Sequence, residues 1–126
     1  MIRRQNDSLL NPPASPFSQV VSDGQYLFLS GVVAADIPGG EALVGDIRAE
    51  TRLVLTTIRD LLRRHGVALD DVLRVDVHLA DLAEIRAMDE VYREFFRHRP
   101  PARTCTGASG LFADCRVEIT VMARHP

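Results

Sequence analysis

The chain has no lysine; all 15 of its basic residues are arginine. A Schiff-base nucleophile is therefore absent, which excludes pyridoxal phosphate enzymes and lysine-type aldolases. A P-loop is excluded too, because it needs a lysine on the phosphates. Cysteine is scarce: Cys105 and Cys115 make neither a disulfide framework nor a C-x-x-C pair. The four histidines, His65, His78, His98 and His125, are scattered without metal-ligand spacing. Neither sign of charge dominates, with 15 basic residues against 17 acidic and a formal net charge of -2. No basic excess marks a nucleic-acid partner. Long apolar runs are also missing. Met1 to Leu10 is polar, carries Arg3, Arg4 and Asp7, and has no apolar stretch of signal-peptide length. No segment is long enough to span a membrane. The expectation is a cytoplasmic protein with reduced thiols.

What is present is an ordinary globular composition. Hydrophobic residues make up 46% and charged residues 25% of 126, enough to bury a sizeable core in one domain spanning 1–126. Residues 1–16 read as an irregular lead-in, with Asn11-Pro12-Pro13 and Ser15-Pro16 unfit for a helix interior. Gln19-Val20-Val21 is followed by Asp23-Gly24, a hairpin signal. Tyr26 to Val33 is apolar on both alternating faces. Asp46 is placed to cap a helix reaching about His65 and closed by Gly66, with Ile47, Val54, Ile58 and Leu61 on its buried face. Val72 to Leu79 alternates: Val75, Val77 and Leu79 on one side, Arg74, Asp76 and His78 on the other. Asp81 is placed to cap a second helix with Leu82, Ile85, Met88, Tyr92 and Phe95 as its stripe, ended by Pro100-Pro101. Arg103–Gly107 and Arg116–Ala123 read as two last strands around a Ser109-Gly110 turn.

The order β-β-α-β-α-β-β predicts an α+β fold, a single sheet with two helices on one face. The other face, apolar through Tyr26 and Phe28, is expected to pack against further subunits.

The C-terminal strands carry the candidate chemistry. A tight hairpin about Gly110 puts Arg103 opposite Glu118 and Cys105 opposite Arg116, all on one face, with Val117, Ile119 and Val121 on the other. This is either a cross-strand ion pair or an anion-holding arginine beside a carboxylate that handles water or a proton. Asp89 borders the apolar stripe of its helix, as an exposed acid or as a site residue. Ser30-Gly31 ends an apolar strand, where the glycine reads most simply as a bulge. His78 has no visible nucleophile partner, and cysteines in such positions are more often inert than reactive.

Several of these segments resemble one family. Pro101-Ala102-Arg103-Thr104-Cys105 followed by Val117-Glu118-Ile119 resembles the C-terminal signature of the RidA/YjgF family. Ser15-Pro16-Phe17-Ser18-Gln19 is similar to its N-terminal Gly-Pro-Tyr-x-Gln element, and Leu29-Ser30-Gly31 to its Ser-Gly. Asp89-Glu90-Val91-Tyr92-Arg93-Glu94-Phe95-Phe96 resembles its Asn-x-x-Tyr-x-x-Phe-Phe pattern. The matches run in order along nearly the whole chain.

The resemblance implies a chorismate-mutase-like fold, a homotrimer with clefts between subunits, and a cofactor-independent enamine/imine deaminase. Such enzymes hydrolyse 2-aminoacrylate-type intermediates and their imines to 2-keto acids and ammonia. It assigns carboxylate binding to Arg103, water placement to Glu118, and substrate contacts to Ser30 and Cys105. The chain departs from the pattern at three positions. Phe17 stands for a tyrosine, Asp89 for an asparagine, and Phe112 for a proline after the arginine; these three are also expected to face the substrate. A phenylalanine at position 17 resembles the branch linked to pyrimidine breakdown. The implied partner is a small carboxylate metabolite, with no nucleic acid and no membrane. A non-catalytic, metabolite-binding or regulatory trimer is the alternative. A ribonuclease label also travels with the family, and the -2 charge and the lack of a basic-aromatic stripe argue against it.

Overall fold

The protein is described by a computed structural model covering residues 1–126. Asp46 opens the first helix: its backbone is extended and its carboxylate accepts from the Ala49 amide at 3.1 Å. The helix, α1, spans Ile47–Arg64. It stops where Gly66 takes φ +73° and the Val67 amide turns back to the Leu62 carbonyl. Its buried side holds Ile47, Val54, Leu55, Ile58, Leu61 and Leu62. Arg48 and Arg52 reach from its outer side to Glu90 and Glu94 of the second helix, α2, which spans Ile85–Phe95. Asp81 caps the short 3-10 turn Leu82–Glu84 that leads into α2 by accepting from the Ala83 amide.

Six strands form one mixed sheet: β1 Arg3–Gln5, β2 Val20–Ser22, β3 Tyr26–Leu29, β4 Val72–Leu79, β5 Ala102–Gly107 and β6 Val117–Arg124. Their order across the sheet is β1-β2-β3-β6-β4-β5. Only β4 and β5 run parallel, joined through α2 as a βαβ unit. Central β6 alternates cleanly, with Val117, Ile119, Val121 and Ala123 buried and Glu118, Thr120 and Met122 half-buried. Val75, Val77 and Leu79 of β4 join the same apolar layer beneath the helices. The reverse face carries Phe28, Asp76, His78, Glu118, Thr120 and Met122, with no helix over it, and Phe28 is 41% exposed. The α+β reading and the placement of both helices on one side therefore hold.

Three expectations are corrected. The lead-in is not irregular throughout, because Arg3–Gln5 pairs with β2 as an edge strand. Leu82 lies in the turn before α2 and is 49% exposed, so it is not part of the core stripe; Val91 and Phe96 are buried instead. The third matters most for function: β5 and β6 are not a hairpin. The crossover sets β5 beside β4, and β4's other edge takes β6. Residues 108–116 carry the chain past the end of β4, so no tight turn sets a β5–β6 register. The two strands with four buried apolar residues each, β4 and β6, lie side by side inside the sheet, and polar β5 takes the edge.

Candidate active site

Glu118 stands on the open face of the sheet, because its β6 neighbours Val117 and Ile119 point into the core. Its side chain lies against Gly31. A Cβ on Gly31 would come within 2.8 Å of the Glu118 Cδ and Oε2, so only glycine allows this approach. No hydrogen bond or ion pair engages the Glu118 carboxylate. It lines a cavity of about 380 Å³ together with Phe17, Ser30, Gly31, Asp36 and Phe112. The cavity has no basic side chain in its wall. Burial raises the Asp36 carboxyl above the usual carboxylate range.

The outer wall of this cavity is the segment before β2, and Gln19 holds it. The Gln19 side chain is buried; it accepts from the Asp7 amide at 2.8 Å and donates to the Asn11 carbonyl at 2.8 Å. Ser30 adds a second tie, its hydroxyl donating to the Ser18 carbonyl at 2.7 Å. Ser30 therefore shapes the cavity through the loop. Phe17 and Phe112 are 44% and 65% exposed at the opening. Phe112 begins a short turn in which Ala113 and Asp114 both take positive φ, 54° and 58°, a conformation side chains rarely adopt.

Arg103 lies elsewhere. In β5 it is registered with Val75, which points to the helices, so Arg103 turns toward α2. Its Nη1 donates to Asp89 Oδ1 at 2.6 Å, and both side chains are about three-quarters buried, at 23% and 25% exposure. The guanidinium carbon stands 4.7 Å from the centre of the Tyr92 ring. Burial opposes its charge, yet the hydrogen bond and charge of Asp89 outweigh it and raise its pKa. Burial likewise pushes the Tyr92 phenol up to about 12. Cys105, registered with Val77 on the same side, has its thiol pushed up by burial, which disfavours the thiolate a nucleophile needs. A second cavity here is lined by Asp89, Tyr92, Phe96, Pro101 and Arg103.

The structure thus groups the sequence-derived candidates into two sets. Phe17, Ser30, Phe112 and Glu118 share one cavity. Asp89 and Arg103 share the other, with Cys105 on their side of the sheet. The expected Arg103–Glu118 and Cys105–Arg116 pairs do not exist. Glu118 is instead registered with His78 of β4, and the Arg116 side chain is bound to Glu84. Arg103 and Glu118 project from opposite faces of the same sheet. Gly31, Gln19 and Tyr92 were not singled out as functional from sequence, although the Ser-Gly pair and the helix stripe contained their signals. No three His, Cys, Asp or Glu side chains converge as a metal site, and no helix is long and apolar enough to cross a membrane.

Residues 9–125 match the family model described as Endoribonuclease L-PSP. A RutC family protein of Pyrococcus horikoshii is 39% identical over 88% of each chain. The 3-aminoacrylate deaminase RutC of Acinetobacter baylyi is 33% identical over 89% of each. A 2-iminobutanoate/2-iminopropanoate deaminase of Dermatophagoides farinae is 31% identical over 85% of this chain and 84% of its own. Among solved structures, RidA from an Antarctic Psychrobacter superposes with a TM-score of 0.85 at 22% identity, covering 97% of this chain and 98% of that one. The shared fold, the ordered motifs and the extent of these matches lead to one assignment: the chain belongs to the Endoribonuclease L-PSP family, the RidA/YjgF proteins.

Proposed function

We propose that this protein is a cofactor-independent deaminase of small 2-imino and enamino acids, acting as a homotrimer. The observation that carries the reading is the Glu118 carboxylate, unpaired in a cavity and seated on Gly31. The names of the relatives from A. baylyi and D. farinae support the reaction class. Arg103 supplies what Glu118 lacks, a forked donor that grips a carboxylate through parallel hydrogen bonds. The two groups lie on opposite faces of one sheet, so one copy cannot present both to one small molecule. A second copy, its Arg103 side set against the Glu118 cavity, completes the site. This arrangement also covers the exposed sheet face around Phe28.

In the reaction so assembled, Arg103 fixes the carboxylate and so the position of the imine carbon. Glu118 accepts a proton from water as the water oxygen bonds to that carbon. The nitrogen takes up a proton, the C–N bond breaks, ammonia leaves and the carbonyl forms. An enamine enters by taking a proton on its β-carbon. A protonated imine is already electrophilic, so placement of the water contributes much of the rate. Phe17 and Phe112 face the substrate's side chain, and Cys105 and Ser30 shape the walls.

The test is an assay on imines generated in situ from a panel of amino acids, followed by ammonia and 2-keto acid release. Turnover above the no-protein rate is expected, together with its loss in Arg103→Ala. A folded assembly that binds carboxylates without turning over any imine would replace this reading with that of a metabolite-binding trimer.

A further inference from the structure

The Asp89–Arg103 pair is an unusual way to present an anion-binding arginine. The guanidinium that is to receive a carboxylate already donates to one at 2.6 Å. It keeps other N–H donors, since arginine has five. The pair runs through Asp89 Oδ1, leaving Oδ2 outside it, and the Tyr92 hydroxyl has no hydrogen-bond partner although Tyr92 is 5% exposed and lines the same cavity. Arg93 and Arg97 also line this cavity, but both are exposed, so solvent screens their charge more than that of the three-quarters buried Asp89 and Arg103. The less exposed polar groups of this cavity are therefore one positive group, one negative group and one unused hydroxyl, side by side.

We propose that the Asp89–Arg103 pair makes this a site for net-neutral, zwitterionic ligands, in which a carboxylate sits one carbon from a protonated nitrogen, and against singly charged carboxylates. The inference rests on the reading that Arg103 receives the substrate carboxylate. A zwitterion satisfies both partners: its carboxylate takes the free donors of Arg103, and its cationic N–H reaches Asp89 Oδ2. A bare 2-oxo acid satisfies only Arg103 and brings its charge against Asp89, a juxtaposition that disfavours binding strongly. The protonated imine is the zwitterionic form of the substrate. Hydrolysis removes its nitrogen as ammonia and leaves an anion, so the pair favours substrate over product at the same position. Asparagine at 89 keeps the size of the side chain but removes the negative charge, which leaves Arg103 to attract an anion and oppose a cationic nitrogen.

Alanine and pyruvate are near-isosteric probes that differ at the group in question. Calorimetry on the assembled wild-type protein should show alanine binding at least about tenfold more tightly than pyruvate. Asp89→Asn should reverse the order, tightening pyruvate and weakening alanine, while Asp89→Glu keeps the wild-type preference. Arg103→Ala should lose both ligands. An unchanged ratio in folded Asp89→Asn, with both ligands lost in Arg103→Ala, overturns this inference and leaves the deaminase reading standing. Equal wild-type affinity for the two probes overturns it as well, whether or not the variants fold. Binding that survives in Arg103→Ala, or no wild-type binding of either probe, overturns the reading beneath it and the inference with it.

Discussion

Glu118 and Gly31 form a unit in which one residue exists to make room for the other. Oε2 would stand 2.8 Å from a Cβ at position 31, inside any tolerable contact. Gly31→Ala should therefore leave the protein folded and displace the carboxylate, with turnover falling toward that of a Glu118 variant; urea unfolding beside the imine assay checks both halves. Glu118→Gln keeps the shape and removes the proton acceptor, so hydrolysis should slow by roughly 10²–10⁴-fold with carboxylate binding retained. Wild-type turnover in that variant would reduce Glu118 to a neighbour of His78. Arg103→Ala removes the proposed grip on the substrate carboxylate. Its loss should weaken carboxylate ligands by about 2–5 kcal/mol, read by calorimetry, and Arg103→Lys should restore little because an ammonium is not a planar fork. Each of these residues was visible in the sequence as a type in a pattern. Their contacts were not: Asp89 as the partner of Arg103 and Gly31 as the seat of Glu118 depend on approaches between distant elements.

At the scale of elements, helix α1 does more than cover the sheet. Its Glu50 is completely buried and accepts from two backbone amides, Gly45 before the helix and Arg116 before β6, both at 2.8 Å. The carboxylate joins the helix start to the entry of the strand that carries Glu118. Glu50→Ala leaves both amides without a partner and should lower the unfolding free energy by about 2–4 kcal/mol in denaturant melts. The helices were legible because their signals are local: Asp46, Gly66 and the apolar stripe act within a few residues of one another. Glu50 was not, because an acid on a helix usually faces water. The β5–β6 hairpin failed for a related reason. Local alternation identifies a strand, but its neighbour is chosen by competition among all edges, and β4 won both.

For the molecule as a whole, the placement of the candidate residues sets the expectation. One face holds Glu118 and the other holds Arg103, and a face without helices exposes Phe28. Light scattering should report about three times 14.0 kDa, and substitutions at the open face, such as Phe28→Glu, should lower both the mass and the turnover together. A fully active monomer would overturn the two-copy site.

The alternation of β4 and β6 and the caps of α1 were set by short-range chemistry, so the α+β class could be read from residue order alone, while Arg103 and Glu118 were marked by their resemblance to a family pattern. Strand neighbours, sheet faces and the placement of Arg103 and Glu118 on opposite faces are long-range outcomes. They depend on which apolar row is buried deepest and which edge a crossover reaches, and those energies exist only once the chain has closed on itself. Two residues fifteen positions apart thus came to stand on opposite sides of one sheet.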